Sequence, residues 1–163
     1  RPLQLLYMDL FSPSRTSSLG GKRYYLVIVD DYWRFTWAMF LAYKDEIFFS
    51  FTKLCRRIQN EKGFFTTNIW TDHGRELENE NFELFCDEHG IGYNFSVPRT
   101  PQQNGVVERK NRTLEEMSRT MLCENNLPKY FWAGAVHTAC YILNRALIRP
   151  ILKKSPYELW HDR

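Results

Sequence analysis

Nowhere in this chain do apolar residues run for the roughly 20 positions that a membrane-spanning helix needs. Its opening stretch, R-P-L-Q-L-L-Y-M-D-L, is too short and interrupted for a signal peptide. It lacks an initiator Met, so the expectation is an excerpt of a longer chain or of a processed polyprotein. Closely spaced cysteine pairs are also missing: Cys55, Cys86, Cys123 and Cys140 include no C-x-x-C. That argues against a structural zinc site, whose ligands usually arrive as such pairs. His137 and Cys140 are three apart, but no second pair accompanies them. Unpaired, largely buried thiols of a reducing compartment are expected. No large charge of either sign stands out, because 22 Lys and Arg face 19 Asp and Glu for a net +3. A nucleic-acid partner is therefore permitted but not demanded, and the clustering of the charges decides.

What is present fits one globular domain over 1–163, with a core over about 3–147 and a tail over 148–163. The 163 residues suffice for a sizeable core, and 44% hydrophobic with 25% charged residues is a globular profile. There is no internal repeat or low-complexity segment.

Strands are expected over Leu3–Leu10, Tyr24–Val29 and Phe35–Leu41, joined by turns at Gly20-Gly21 and Asp30-Asp31. They read as an antiparallel meander. Asp45 can cap a helix whose inward face is Phe51, Leu54, Cys55 and Ile58, closed by Gly63. A strand over Phe65–Thr71 and a helix over Glu78–His89 follow, the latter stopped by Gly90. Ile91–Phe95 reads as a short strand and 96–105, with Pro98 and Pro101, as a loop. A long helix runs from Val106 to about Glu124 with Val107, Leu114, Met117 and Met121 in one stripe. A last helix, with Pro128 in its first turn, places Phe131, Ala135, Ala139 and Ile142 inward. The tail reads as mostly irregular, although S-P-Y-E-L-W can start a helical turn. The fold class is α/β: a mixed five-stranded sheet flanked by helices.

Three carboxylates carry the chemical argument. Asp72 ends a strand in I-W-T-D-H-G, and Glu108 lies early on a helix in Q-Q-N-G-V-V-E-R-K-N-R, with 35 residues, 73–107, between them. Asp9 interrupts the apolar run L-L-Y-M-D-L-F, where an acid is costly without a cation or hydrogen-bond partner. Read singly, each acid has an ordinary explanation: a turn residue at Asp72 or a solvated helix position at Glu108. Together, two strand acids and one helix acid suit a site for two Mg²⁺ (or Mn²⁺) ions, which take a few carboxylates and keep several waters. Asp30 and Asp31 compete for the third role, but they also occupy a turn. Arg99, Gln102, Gln103 and Asn104 precede Glu108, and Arg109, Lys110 and Arg112 follow it, as phosphate tracking needs; a solvated helix face is the ordinary alternative. Most aromatic residues fall on core faces, while Tyr32, Trp33 and Phe35 near a hairpin are candidates for stacking on bases.

The blocks D-L-F-S-P, Y-Y-L-V-I-V-D-D-Y-W-R-F-T-W, W-T-D-H-G-R-E-L-E-N, S-V-P-R-T-P-Q-Q-N-G-V-V-E-R-K-N-R-T-L and F-W-A-G-A-V-H-T-A-C-Y-I-L-N-R resemble the integrase catalytic core of Ty1/copia-type LTR retrotransposons, of the plant kind. The resemblance covers about Leu3 to Asp162. It implies a ribonuclease-H-like fold, a triad of Asp9, Asp72 and Glu108 that ligates Mg²⁺ or Mn²⁺, and strand transfer joining 3′-hydroxyl ends of element cDNA to target DNA. It also implies a Gag-Pol polyprotein context, double-stranded DNA and further copies of the chain as partners, and a reaction in the nucleus after a cytoplasmic particle stage. Trp33, Trp70, Leu77, Gly134 and His137 depart from the family pattern without touching the acids. They keep open a decayed copy that only binds DNA or other integrase chains. The Q-Q-N-G-V-V-E-R helix argues against a ribonuclease H proper.

Overall fold

The computed structural model describes residues 1–71, 77–95 and 105–163. Five strands form one sheet: β1 (Leu5–Phe11), β2 (Tyr24–Asp30), β3 (Thr36–Leu41), β4 (Asn68–Thr71) and β5 (Gly92–Phe95). Their order is β3-β2-β1-β4-β5. The first three are antiparallel, as the meander reading requires, and β4 and β5 run parallel to β1. Among the described residues, five α-helices flank the sheet: α1 (Ile47–Lys62), α2 (Glu80–His89), α3 (Gly105–Glu124), α4 (Trp132–Ala146) and α5 (Pro156–His161).

Strand alternation divides the core into two layers. Leu6 and Met8 of β1, Leu26 and Ile28 of β2 and Ile69 of β4 face one side with residues of α1, α2 and α5. Tyr7 and Phe11 of β1 and Tyr25, Val27 and Val29 of β2 face the other, with Val107 and Leu114 of α3 and Val136, Ala139 and Leu143 of α4. The inward face of α1 is as expected: Phe51, Leu54, Cys55 and Ile58 are all buried.

Several local expectations need correction. Asp45 does not cap α1. A 3₁₀ turn over Lys44–Glu46 comes first, and Glu46 accepts from the Ala42 and Tyr43 amides at 2.7 and 2.9 Å. β4 begins at Asn68 rather than Phe65, because the Thr66 amide is taken by Gln59 and the Thr67 hydroxyl by the Gln4 carbonyl. In α4 the inward row is Trp132, Ala135, Val136, Ala139, Cys140 and Leu143, while Phe131 and Ile142 are exposed. A 3₁₀ turn over Lys129–Phe131 delays the helix, and Trp132 takes the inward place, its Nε1 donating to the Thr16 carbonyl at 2.9 Å. No pair links the four cysteines; three are buried and Cys123 is exposed.

The tail is as expected: turns and an isolated bridge over 148–155, then the helical turn that S-P-Y-E-L-W allows. A capping box between Ser155 and Glu158 starts α5, and Trp160 is buried against the rings of Trp33, Phe35 and Trp37. Trp160 Nε1 donates to Glu61 at 2.8 Å, and Lys62 Nζ donates to the Trp160 carbonyl. Trp33 and Phe35 are thus occupied with holding α5 rather than presented to bases.

β3 is a sheet edge, and α4 blunts it. Asn144 Oδ1 accepts from the Thr36 amide at 2.9 Å, and its Nδ2 donates to the Thr36 carbonyl at 2.8 Å. One side-chain amide so stands in for a neighbouring strand.

Candidate metal and nucleic-acid site

Asp9 lies between Tyr7 and Phe11 on β1, so alternation places it on the α3/α4 side of the sheet, where it is half-buried. Its Oδ1 accepts from the Leu10 amide at 2.9 Å. Across the ladder it faces Val27, and on the other side β1 pairs with β4 up to Met8↔Thr71. Thr71 is the last described residue before Asp72, which lies outside the described residues.

Glu108 is in the first turn of α3 and exposed. The first turn suits a carboxylate through the helix dipole. Its helix is seated on the layer that contains Asp9 by Val107 and Leu114, both completely buried. Asp9 and the helix that carries Glu108 thus lie on the same side of the sheet. Both carboxylates offer hard oxygen donors, one half-buried and one open to water, which suits a cation that keeps part of its hydration. Among the described residues there is no cluster of three acidic, His or Cys side chains able to hold a metal.

The rival carboxylates are otherwise engaged. Asp30 is fully buried and accepts from the Leu3 amide at Oδ1 and the Trp33 amide at Oδ2, both at 2.8 Å. Burial raises its pKa against those two bonds. Asp31 pairs with Arg34 at 3.4 Å.

The basic residues after Glu108 separate into two groups. Arg109 and Arg112 are exposed, and Arg112, four residues on from Glu108, shares its flank of α3. Lys110 is half-buried instead. Two residues turn about 200° around a helix, so Lys110 leaves on the flank opposite Glu108, towards α4. Burial, then the charges of Arg34 and Arg149, lower its pKa to about 8, and it lies near enough to Cys140 to feel that thiol. Arg99, Gln102, Gln103 and Asn104 lie outside the described residues.

Sequence reading missed two residues here. Asn111, one turn beyond Glu108, is buried and accepts a hydrogen bond from the hydroxyl of Tyr25, which is completely buried on β2. Asn111 Nδ2 in turn approaches Glu115 Oε1 at 3.4 Å. The available signal was an Asn on the inward stripe of an amphipathic helix, between Val107 and Leu114. A cleft of about 460 Å³ opens elsewhere, along β3 between α1 and α4, and its lining includes neither Asp9 nor Glu108.

The model of the integrase core domain family matches residues 1–101. This chain belongs to that family. It is 39% identical over 161 residues to the retrovirus-related Pol polyprotein from transposon TNT 1-94 of Nicotiana tabacum, covering 99% of this chain and 12% of that protein. The Pol polyprotein from transposon RE2 of Arabidopsis thaliana is 33% identical, covering 97% and 11%, and the Ty1-DR6 Gag-Pol polyprotein of Saccharomyces cerevisiae is 30% identical, covering 94% and 9%. The core thus fits the copia type, and it spans about a tenth of the length of these polyproteins. Among solved structures, the HTLV-2 integrase catalytic core domain in complex with magnesium superposes with a TM-score of 0.72 at 19% identity, covering 98% of this chain and 97% of that one. A simian T-cell lymphotropic virus intasome, solved with the PP2A regulatory subunit B56 gamma, gives a TM-score of 0.76 at 20% identity, covering 98% and 55%. These neighbours fix the fold of this integrase core as ribonuclease-H-like.

Proposed function

We propose that this integrase core is a DDE-type, metal-dependent polynucleotidyl transferase that joins the 3′-hydroxyl ends of element cDNA to target DNA. The observation that carries the reading is the placement of Asp9 on the α3 side of β1 together with Glu108 at the start of α3. Thr71, which precedes Asp72 in the sequence, pairs with Met8, which precedes Asp9.

In this reading Asp9, Asp72 and Glu108 hold Mg²⁺ or Mn²⁺ in a two-metal site. When bound, the metal supplies charge neutralisation at the attacking and leaving oxygens of the phosphodiester. The protein does the positioning. The Leu10 amide fixes one oxygen of Asp9, and α3 presents Glu108 towards solvent, from which DNA arrives. Arg109 and Arg112 neutralise phosphates along the exposed flank; by sequence, Arg99 would add charge, and Gln102, Gln103 and Asn104 would add neutral hydrogen bonds to the DNA backbone. Lys110 supplies charge from the α4 side. One phosphorus–oxygen bond forms as another breaks, and the displaced 3′-oxygen takes up a proton, so no external energy source is consumed. The neighbours' magnesium complex and intasome support the metal and DNA assignments, and the dimeric and trimeric forms of the HTLV-2 core support assembly with further copies of this chain.

The test is Glu108→Gln, which keeps size and removes the charge. Strand transfer with Mn²⁺ or Mg²⁺ should fall about 100-fold or more, a loss of several kcal/mol at the transition state. DNA affinity at low salt should stay within about threefold. Wild-type-like transfer by Glu108→Gln would remove that residue from the mechanism. DNA binding without transfer by the parent chain would favour a decayed, purely binding module.

A further inference from the structure

We propose that the hydrogen bond from Tyr25 to Asn111 is a positioning contact that sets where Glu108 stands relative to Asp9. This rests on the metal-site reading above and concerns two residues that do not themselves reach the metal.

Tyr25 is anchored on the sheet. Its backbone pairs opposite Phe11, two residues along β1 from Asp9, and it shares a face with Val27, the cross-strand partner of Asp9. The rings of Phe11, Phe40 and Trp132 surround it, with centroids 5.6, 6.3 and 6.2 Å away. Burial, and then the charge of Glu115, raise the pKa of its hydroxyl. The group therefore stays a donor under any working condition.

Asn111 is anchored on the helix, three residues beyond Glu108 and so about one turn away. Its Oδ1 accepts from Tyr25, and its Nδ2 approaches Glu115, which orients the amide. Val107 and Leu114 add apolar contacts between this part of α3 and the sheet, and Glu115 is a second hydrogen-bonding neighbour of the Tyr25 hydroxyl. Apolar contacts are non-directional and tolerate rotation or sliding of a helix. A hydrogen bond is directional, and this one fixes the roll and height of α3 one turn from the carboxylate. A purely structural account, in which a buried hydroxyl only needs an acceptor, predicts a stability cost and nothing more.

Mn²⁺ binding to the folded 163-residue chain, followed by water proton relaxation well below the thermal midpoint, separates the two. Tyr25→Phe keeps the ring and removes the donor. Mn²⁺ affinity is expected to weaken about tenfold, the size seen when groups that orient metal ligands are lost. Asn111→Leu should weaken it similarly and lower the thermal midpoint, because the Tyr25 hydroxyl loses the Asn111 acceptor and keeps only Glu115. The double variant, Tyr25→Phe with Asn111→Leu, removes both polar groups and should recover the midpoint while Mn²⁺ affinity stays low. Unchanged affinity in Tyr25→Phe, or affinity that recovers with stability in the double variant, would overturn the proposal. Glu108→Gln serves as the control. Should it leave Mn²⁺ binding untouched, both the metal-site reading and the positioning role fall together; a loss there with no effect at Tyr25 removes the positioning role alone.

Discussion

The two sides of the sheet are built differently. On the α1/α2/α5 side the packing is apolar and aromatic, Phe51 against Phe82 and Phe85, Phe48 against Phe82, Trp160 against Trp37, and the polar bonds of Trp160 with Glu61 and Lys62 run from helix to helix. On the α3/α4 side the apolar contacts are pinned by buried polar groups that cross from helix to strand, Tyr25 to Asn111 and Thr36 to Asn144. Apolar area stabilises without prescribing one orientation, whereas a satisfied buried hydrogen bond penalises every orientation that breaks it. The side with the pins is the side with Asp9 and Glu108. One layer gives stability, and the other gives stability with a defined helix placement.

The sharpest way to test that contrast is Phe82→Ala on the apolar side. Phe82 is completely buried among aromatic rings, so chemical denaturation should report a loss of about 3–5 kcal/mol. Mn²⁺ affinity of the fraction that remains folded should match the parent. If it fell too, the two layers would not be separable.

Next in size is Asn144→Leu, which leaves the Thr36 amide without its side-chain partner and the Thr36 carbonyl with only the Cys140 thiol. About 1–3 kcal/mol of stability should go. Because the β3 edge is then uncapped, light scattering should reveal greater self-association. Lost stability with no change in association would leave Asn144 as a packing residue only.

Asp30→Asn comes third. An amide can accept from only one of the two backbone N–H groups, Leu3 or Trp33, that the carboxylate serves. A loss of about 1–2 kcal/mol is expected in denaturant. The pH dependence has a defined sign. The folded pKa of Asp30 is raised above the ordinary 3.8 by burial, opposed by the two amide bonds. The folded state therefore holds its proton longer than the unfolded chain, and this contribution to stability is whole below about pH 3.8 and declines as pH climbs through the raised folded value. Asp30→Asn should abolish that slope, and a mutant with the parent's acid profile would refute the assignment.

The smallest effect concerns the flanks of α3. Arg112→Ala should lower the salt dependence of DNA binding by about one phosphate contact. Lys110→Ala should change the slope less, since Lys110 is half-buried towards α4. Equal slopes for the two would erase the distinction between the flanks.

Much of the fold was legible because it is written in period. The alternation in L-L-Y-M-D-L-F and Y-Y-L-V-I-V-D and the spacing of Phe51, Leu54, Cys55 and Ile58 each mark a buried face whatever packs on it. Errors fell where a long-range contact overrode the local pattern. The inward row of α4 was displaced because Trp132 finds the Thr16 carbonyl. The helical turn expected at S-P-Y-E-L-W did form, and what the sequence did not show is that Trp160 packs it against three rings and Glu61 that are distant in sequence. At the candidate site, Asp9 was conspicuous as an acid in an apolar run. Asn111 and Tyr25 were not, since nothing local joins positions 86 residues apart.

The sequence by itself determined the kinds of element, the copia-type integrase core family and the acids worth testing, because hydrophobic period and motif spacing are local properties of the chain. Only the tertiary structure decided that Lys110 is half-buried towards α4, that Asp30 is committed to backbone amides, and that a tyrosine of β2 bonds to the helix bearing Glu108. Those are outcomes of how the elements pack on one another, which depends on contacts between residues far apart in the chain.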